Sequence, residues 1–204
     1  MQAEGWDQKY STEEYIYTKT PNRFVIEYCE SLPGTTAIDL AGGEGRNSIW
    51  LAKQGFQVEN IDFSQVALDK FMAFAESENV QSQCLTNLAD ATSFASKLGE
   101  VDLAVIAYLQ IKQDLLAKAI KRLAAQVKFG GALFGVWHSR DNLNGGFGGP
   151  RDPEELPSIE TITEALAGTG LEIAELRNRD GQIQTREGLK PSITLVLLAK
   201  RPVG

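Results

Sequence analysis

The sequence predicts an α/β domain built on a doubly wound, mostly parallel sheet of seven strands. Short apolar runs alternate along the chain with segments of helical periodicity, which is typical of such a sheet. The length of 204 residues and the hydrophobic fraction of 43% fit one folded domain over 1–204. The last two apolar runs follow each other without room for a crossover helix, so the sheet is expected to end in an antiparallel hairpin.

The alternation of strands and helices begins in the first half of the chain. A buried strand is predicted at 36–40, and a glycine turn leads from it into a helix at 46–54. A second strand is predicted at 56–61, and Ser64 suits the N-cap of the helix that follows. A weaker third strand is predicted at 80–86.

The second half continues in the same way, with a fourth strand at 101–108, a helical stripe at 116–127, a fifth strand at 132–137 and a helix at 158–167. Gly130 and Gly131 are expected to end the helical stripe. The hairpin strands are predicted at 171–177 and 193–200, with a linker between them.

Two segments fall outside the alternation. The N-terminal segment 1–30 is expected to form a lid; residues 1–20 are rich in aromatic residues but lack a clean period, and a short helix is predicted at 24–31, before Pro33 and Gly34. The segment 138–157 is rich in glycine and proline. A loop of this length inside a compact domain is usually functional, so we expect it to border the active site and to act as a lid together with the N-terminal segment.

Composition excludes several classes of function. The net charge of −7 disfavours nucleic-acid binding, which needs a basic face. The apolar runs are too short to span a membrane, and the polar first residues do not resemble a signal peptide. Two cysteines and one histidine are too few for a disulfide framework or a Cys/His metal site. We therefore expect a cytoplasmic protein without a metal.

The segment from Asp39 to Asn47 joins the first strand to the following helix and contains three glycines. Glycines allow a ligand to approach the backbone closely, and the helix N-terminus offers free N–H groups. Asp62 lies at the end of the next strand, where an acid commonly accepts hydrogen bonds from ribose hydroxyls. The carboxyl edge of the sheet is thus the predicted ligand site.

Two classes of nucleotide cofactor fit this geometry. A dinucleotide fingerprint requires a third glycine, which is missing after Gly43 and Gly45. The carboxylate of Asp39 would repel a pyrophosphate but suits an ammonium group. S-adenosylmethionine carries both a ribose and an ammonium, so it is favoured over a nicotinamide cofactor.

These residues resemble a known family, the class I S-adenosylmethionine-dependent methyltransferases, and within it the small group related to tellurite-resistance methyltransferases. The resemblance covers nearly the whole chain and is carried by Asp39 to Asn47, Val58 to Leu68, Asn87 to Asp90, the entry segment Trp6 to Asn22 and the loop His138 to Pro153. It implies a Rossmann-like methyltransferase fold and S-adenosyl-L-methionine as the cofactor.

The resemblance also implies roles for individual residues. The cofactor-binding set is Asp39, Ala41, Gly43, Gly45 and Arg46 for the methionine part, Asp62 and Phe63 for the ribose, Asn87 and Leu88 or else Asp90 for the adenine, and Tyr17 in the lid. Ala41 stands where the family has a glycine, so the turn is expected to avoid positive φ there. Asn87 stands where the family has an aspartate.

Three residues at the ends of the fourth and fifth strands are candidates for catalysis: Tyr108, Gln110 and His138. An unperturbed histidine would act as a base near neutral pH. Alternatively, His138 shapes the glycine-rich loop by hydrogen bonding.

The predicted activity is methyl transfer to a small nucleophile, such as a thiol or a chalcogen oxyanion. The alternatives are a module that binds S-adenosylmethionine without turnover and, less favoured, a nicotinamide-dependent oxidoreductase. The expected partner is the small-molecule methyl acceptor, with no nucleic acid and no membrane, and the chain is expected to be a monomer or a homodimer.

Overall fold

The computed structural model describes residues 3–12, 14–16 and 18–204. In these residues the helices are α1 (Ala3–Tyr10), α2 (Arg23–Cys29), α3 (Arg46–Lys53), α4 (Gln65–Ser77), α5 (Gln113–Ala124) and α6 (Ile159–Leu166). The strands are β1 (Thr36–Leu40), β2 (Gln57–Asp62), β3 (Cys84–Leu88), β4 (Val101–Ala107), β5 (Val127–His138), β6 (Glu172–Thr185) and β7 (Gly188–Lys200).

The seven strands form one sheet in the order β3-β2-β1-β4-β5-β7-β6. The first five strands pair in parallel, and β7 pairs antiparallel with both β5 and β6. The predicted fold class is therefore confirmed. The strand order reverses between β1 and β4, which places a ligand crevice at the carboxyl edge beside these strands.

Helices cover both faces of the sheet. Residues of α5 and α6 share one buried cluster with the strands, and residues of α2, α3 and α4 share the other. Because both faces are covered, the central strands are apolar on both sides rather than alternating. This explains why continuous apolar runs predicted β1 and β4 well. Cys29 and Cys84 are free cysteines and both are buried.

Two strand boundaries differ from the prediction. A 3₁₀ turn at Gln81–Gln83 delays β3, which starts at Cys84. The fifth strand starts at Val127, so Gly130 and Gly131 lie within it instead of ending α5. Val101 pairs with Val127 and Leu103 pairs with Ala132, so the two glycines belong to a bulge that sequence periodicity does not reveal.

The terminal hairpin is much longer than predicted, because the expected linker at 178–192 is itself strand. β6 and β7 remain paired to Thr185 and Gly188. Polar residues, Gly181 and Pro191 hid these strands, since glycine and proline are depleted in strand interiors. β5 ends where His138 pairs with Thr194, so the hairpin tip projects beyond the carboxyl edge.

The aromatic N-terminal segment contains a helix, α1, that sequence periodicity did not predict. None of the helices described in the structure has the length and apolar content needed to cross a membrane.

Candidate active site

The site lies where the predicted residues converge, at the carboxyl edge of the parallel strands. The loop after β1, the last residues of β2 and β3, and the residues that follow β4 and end β5 meet there. All predicted site residues except one are at or next to these strand ends. Tyr17 lies outside the described residues.

The loop between β1 and α3 has a left-handed backbone at three positions. Ala41, Gly43 and Gly45 have φ values of 55°, 55° and 82°. The expectation that Ala41 avoids positive φ was wrong. Its N–H donates to the carbonyl of Ile61 at 2.7 Å, so the pairing of β1 with β2 continues into the turn and holds Ala41 there.

The glycines of this loop are required by close packing. A Cβ on Gly45 would lie 2.1 Å from Phe71 of α4, and one on Gly43 would lie 2.8 Å from the hydroxyl of Tyr10. Helix α4 and helix α1 thus contact the loop directly. The N-terminal segment reaches the site, as the lid prediction requires.

Asp39 lies fully buried beneath the loop. Its Oδ2 accepts a hydrogen bond from the Ser48 hydroxyl at 2.7 Å. Burial raises the pKa of Asp39 to about 6, although the Ser48 hydrogen bond and the nearby charge of Arg46 act in the opposite direction. Arg46 is half-buried at the start of α3.

Two buried side-chain oxygens of the paired residues Asp39 and Asn60 have no hydrogen-bond partner among the described residues: Asp39 Oδ1 and Asn60 Oδ1. A Cβ on Gly42 would lie 2.8 Å from Asp39 Oδ2 and 2.6 Å from Asn60 Oδ1. Buried acceptors without donors are costly, and an ammonium group would satisfy them. Sequence reasoning missed Asn60, whose signal was a polar residue in a strand predicted to be buried, and the structure pairs it in register with Asp39.

Asp62 joins the glycine loop to the start of α4. Its Oδ2 accepts from the Gly43 amide at 2.9 Å, and its Oδ1 accepts from the Ser64 amide at 2.9 Å. Burial raises the pKa of Asp62, and these backbone hydrogen bonds oppose the rise. Each carboxylate oxygen retains a further lone pair, which a ribose hydroxyl can use.

Helix α1 is coupled to this junction. The Ser64 side chain accepts from the Ala67 amide as the N-cap of α4, and its hydroxyl donates to Asp7 of α1. Tyr10 is buried and stacks on Trp6 with ring centroids 5.5 Å apart. The Trp6–Tyr10 stack lies within α1, and the helix is held at the site by the Asp7–Ser64 hydrogen bond and by the buried Tyr10 beside Gly43.

Tyr15 has a different environment from the other N-terminal aromatics. Its hydroxyl donates to the Lys70 carbonyl at 3.0 Å, and its ring packs edge-on against Phe74 of α4. It belongs to the contact between the N-terminal segment and α4, on the buried side of the segment.

The end of β3 lies next to Asp62, which pairs in register with Leu88. Leu88 is 56% exposed, which is unusual for a large apolar side chain, whereas Asn87 is buried. Asp90 uses its Oδ1 to accept from the amide and the hydroxyl of Thr92, so its side chain is engaged in its own turn. Phe63 is half-buried beside this edge.

Tyr108 and His138 are brought together by the ends of β4 and β5. Their ring centroids are 4.8 Å apart. Tyr108 has a left-handed backbone with φ of 59°, a strained conformation for a bulky residue. Burial lowers the pKa of His138 to about 4, so the imidazole is neutral at pH 7. Its Nδ1 is buried without a hydrogen-bond partner among the described residues.

Gln110 is a positioning residue. Its Oε1 accepts from the backbone N–H of His138 at 2.9 Å, and its Nε2 donates to the carbonyl of Glu155 at 2.8 Å. Both ends of the amide are therefore used to hold the glycine-rich loop against β5.

The glycine-rich loop closes over the imidazole. A Cβ on Gly148 would lie 2.6 Å from Cε1 of His138, and one on Gly149 would lie 2.9 Å from its Cβ. Only glycines permit this contact, since both also have positive φ. The predicted hydrogen bond from His138 to the loop is replaced by packing.

The same loop is fastened to the projecting hairpin. Asn142 exchanges two hydrogen bonds of 2.7 Å with the backbone of Ile193, and the Phe147 amide donates to the Pro191 carbonyl at 2.9 Å. The projecting hairpin thus supports the glycine-rich loop through Pro191 and Ile193, next to the end of β5. It was not among the predicted site elements, because the sequence did not indicate how far the strands extend.

Residues 5–138 match the family described as the tellurite resistance protein TehB. The chain belongs to this family. It is a class I S-adenosylmethionine-dependent methyltransferase, as the resemblance of the sequence implies.

Solved structures agree with the TehB family at the level of the fold. TehB from Haemophilus influenzae is 18% identical, with a TM-score of 0.72, and the match covers 98% of this chain and 66% of that chain. The magnesium protoporphyrin IX methyltransferase from Synechocystis, solved with bound S-adenosylmethionine, is 18% identical, with a TM-score of 0.60 and coverages of 94% and 79%.

A third similar structure comes from work on the conversion of a disulfide bond into a thioacetal group during echinomycin biosynthesis. It is 16% identical, with a TM-score of 0.78, and the match covers 99% of this chain and 92% of that chain. No curated protein matches the sequence.

Replacing Ala41 by glycine is expected to stabilise the fold by about 0.5–1 kcal/mol, because relief of the left-handed strain exceeds the added entropy of the unfolded chain. Urea denaturation measures the free energy of unfolding. As a control, Ala73→Gly, exposed in the interior of α4, is expected to destabilise by about 1 kcal/mol. If Ala41→Gly instead lowers the free energy of unfolding as much as the control does, the left-handed backbone of Ala41 is not strained.

His138 is expected to make the fold sensitive to acid. Its folded pKa of about 4 lies below the ordinary 6.5. Its contribution is therefore complete above pH 6.5 and is lost as the pH falls toward 4, with about 2 kcal/mol lost between pH 7.5 and pH 5. Urea denaturation at both pH values should show that His138→Gln reduces the pH dependence by this amount. An unchanged pH dependence would show that the imidazole is not held neutral.

Proposed function

We propose that this TehB-family methyltransferase transfers the methyl group of S-adenosylmethionine to a small nucleophile, either a thiol or a chalcogen oxyanion. The observation that carries the proposal is the enclosure of a neutral His138 by Tyr108 and the two loop glycines, at the edge that also holds Asp39 and Asp62. An enclosure of this kind suits a small acceptor.

The residues present fit the cofactor. Asp39 Oδ1 and Asn60 Oδ1 are buried acceptors that no described residue supplies with a donor, and they would hold the methionine ammonium. Arg46 would pair with the methionine carboxylate at the start of α3. Asp62 would accept from the ribose hydroxyls, and the exposed Leu88 would cover one side of the adenine.

When bound, S-adenosylmethionine would supply an electrophilic methyl group for in-line displacement, in which its C–S bond breaks as the acceptor's lone pair bonds to the methyl carbon and S-adenosylhomocysteine is the leaving group. The protein's part is to position the acceptor and, for a thiol, to accept its proton. His138 is neutral at pH 7, so we propose that its imidazole accepts this proton, and its low pKa makes it a weaker base than an ordinary histidine. A chalcogen oxyanion brings a lone pair without a proton and requires positioning alone.

The two acceptor classes have separate support. The family's description concerns tellurite resistance, which favours a chalcogen oxyanion. The structure from echinomycin biosynthesis concerns sulfur chemistry, which favours a thiol. The net charge of −7 disfavours a nucleic-acid acceptor. We propose no membrane partner, and a monomer or homodimer as the active species.

Calorimetric titration tests the cofactor part of the proposal. The wild type should bind S-adenosylhomocysteine and not NAD. Asp62→Asn should weaken S-adenosylhomocysteine binding about tenfold or more, because the amide presents hydrogens to the Gly43 or Ser64 N–H and disturbs the loop. Asp69→Asn, on the exposed face of α4, is the matched control. Wild-type affinity in a folded Asp62→Asn variant would remove Asp62 from the ribose site.

Release of S-adenosylhomocysteine from S-adenosylmethionine, measured with a small thiol or with tellurite, tests the acceptor. His138→Gln should lower kcat for the thiol by about 10²-fold, because general base catalysis is worth that much, and should spare transfer to tellurite. Glu154→Gln, exposed on the same loop, is the control. Absence of transfer to both acceptors would contradict the proposal, and equal losses on both would contradict the role of His138 as a base.

A further inference from the structure

A fully buried carboxylate, that of Glu59, lies in β2 near the proposed adenine site. No ion pair among the described residues includes it. Instead it accepts hydrogen bonds from four donors: the Ser96 hydroxyl, the Lys97 and Leu98 amides, and the side-chain amide of Asn87. A buried charge held by neutral donors is costly to maintain, so its role requires explanation.

Part of that role is to shape the segment after β3. Ser96 donates to Glu59 Oε2 at 2.7 Å, and the Lys97 amide donates to both oxygens at 3.0 Å. These contacts bring 95–98 back against β2. As a result, the carbonyl of Ala95 faces Asn87.

Asn87 has one possible orientation in this environment. Its Nδ2 donates to Glu59 Oε1 at 2.6 Å and to the Ala95 carbonyl at 2.8 Å, which uses both amide hydrogens. Both partners are acceptors, so a flipped amide would place its oxygen against two other oxygens. The Oδ1 of Asn87 is therefore fixed as an acceptor on the opposite side of the amide.

The same contacts explain why this chain departs from the aspartate of the family. An aspartate at position 87 would bring a second buried carboxylate to within hydrogen-bonding distance of Glu59. Like charges this close in a buried site repel strongly. An amide avoids the repulsion while still presenting an oxygen outward.

We propose that Glu59 is a positioning residue that makes Asn87 an obligate hydrogen-bond acceptor, and so selects a base with a 6-amino group over one with a 6-oxo group. This inference rests on the proposed binding of S-adenosylmethionine. The end of β3 beside Asp62 and the exposed Leu88 is where its adenine would lie. Glu59 acts on the ligand only through Asn87.

The test compares two ligands that differ at one position of the base, S-adenosylhomocysteine and S-inosylhomocysteine, by calorimetric titration. The wild type should prefer the 6-amino ligand by about tenfold or more, the value of one hydrogen bond matched instead of mismatched. In Glu59→Gln, the new amide faces Asn87 and favours the flipped orientation. The preference should then fall about tenfold.

The double variant Glu59→Gln with Asn87→Asp gives the rescue. The amide introduced at position 59 can donate to an aspartate at position 87, which again presents only acceptors to the base, so the preference for the 6-amino ligand should return. Asn87→Asp alone should lower the urea midpoint, and Glu59→Gln should restore part of that loss in the double variant. A purely structural Glu59 would change the midpoint without changing the ligand preference.

The outcomes separate this inference from the proposed function. If the wild type binds neither ligand, both fail. If the wild type binds S-adenosylhomocysteine but a folded Glu59→Gln keeps the same ligand preference, the proposed function stands and the positioning role is overturned. A lowered preference that the double variant does not restore would also overturn it.

Discussion

The carboxylate of Asp62 is the contact on which the site depends. Its two oxygens accept one backbone hydrogen bond each, from Gly43 in the glycine loop and from Ser64 at the start of α4. Two segments that leave neighbouring strands are thereby held to one side chain. Helix α4 can then approach until Phe71 occupies the space where Gly45 has no side chain, and α1 adds Asp7 to the same junction. A ribose ligand would bind to a group that already orders its surroundings.

The site retains polar groups and backbone conformations that reduce stability. Asp39 Oδ1 and Asn60 Oδ1 are buried and receive no hydrogen bond from the part of the chain that the structure describes. Ala41 and Tyr108 have left-handed backbones, and the imidazole of His138 is buried. Each is unfavourable in isolation. They occur together at the carboxyl edge, while the two apolar clusters of the sheet carry the stability of the fold. A cationic ligand would remove part of this cost by supplying donors to the free oxygens.

The sequence predicted the parts of the structure that depend on local pattern. The apolar runs of β1 and β4, the cap at Ser64 and the acid ending β2 were all expected from periodicity and residue type. The features that it did not predict depend on long-range contacts. The φ of Ala41 is set by Ile61 of the neighbouring strand, and the positions of Gly130 and Gly131 are set by a bulge against β4.

The length of the terminal hairpin, which holds the glycine-rich loop, could not be predicted from the sequence for a physical reason. The outer parts of the hairpin strands, at 178–192, are polar and contain Pro191. They extend past the end of β5 and bury little surface. Only the paired backbone reveals them as strand. This part of the hairpin matters for the site, because Asn142 and Phe147 of the glycine-rich loop bind to Ile193 and Pro191.

These contacts limit how the predicted lid at 138–157 can move. Its first half is fastened to the hairpin at Asn142 and Phe147, and its far end is fastened at Glu155 by Gln110. The stretch 148–151 lies between these attachments and includes the two glycines that contact the imidazole. Opening there would expose His138 without breaking either attachment, whereas movement of the whole loop would break both. The lid stays a prediction, but the hydrogen bonds favour a short flap over the imidazole rather than a mobile segment of twenty residues.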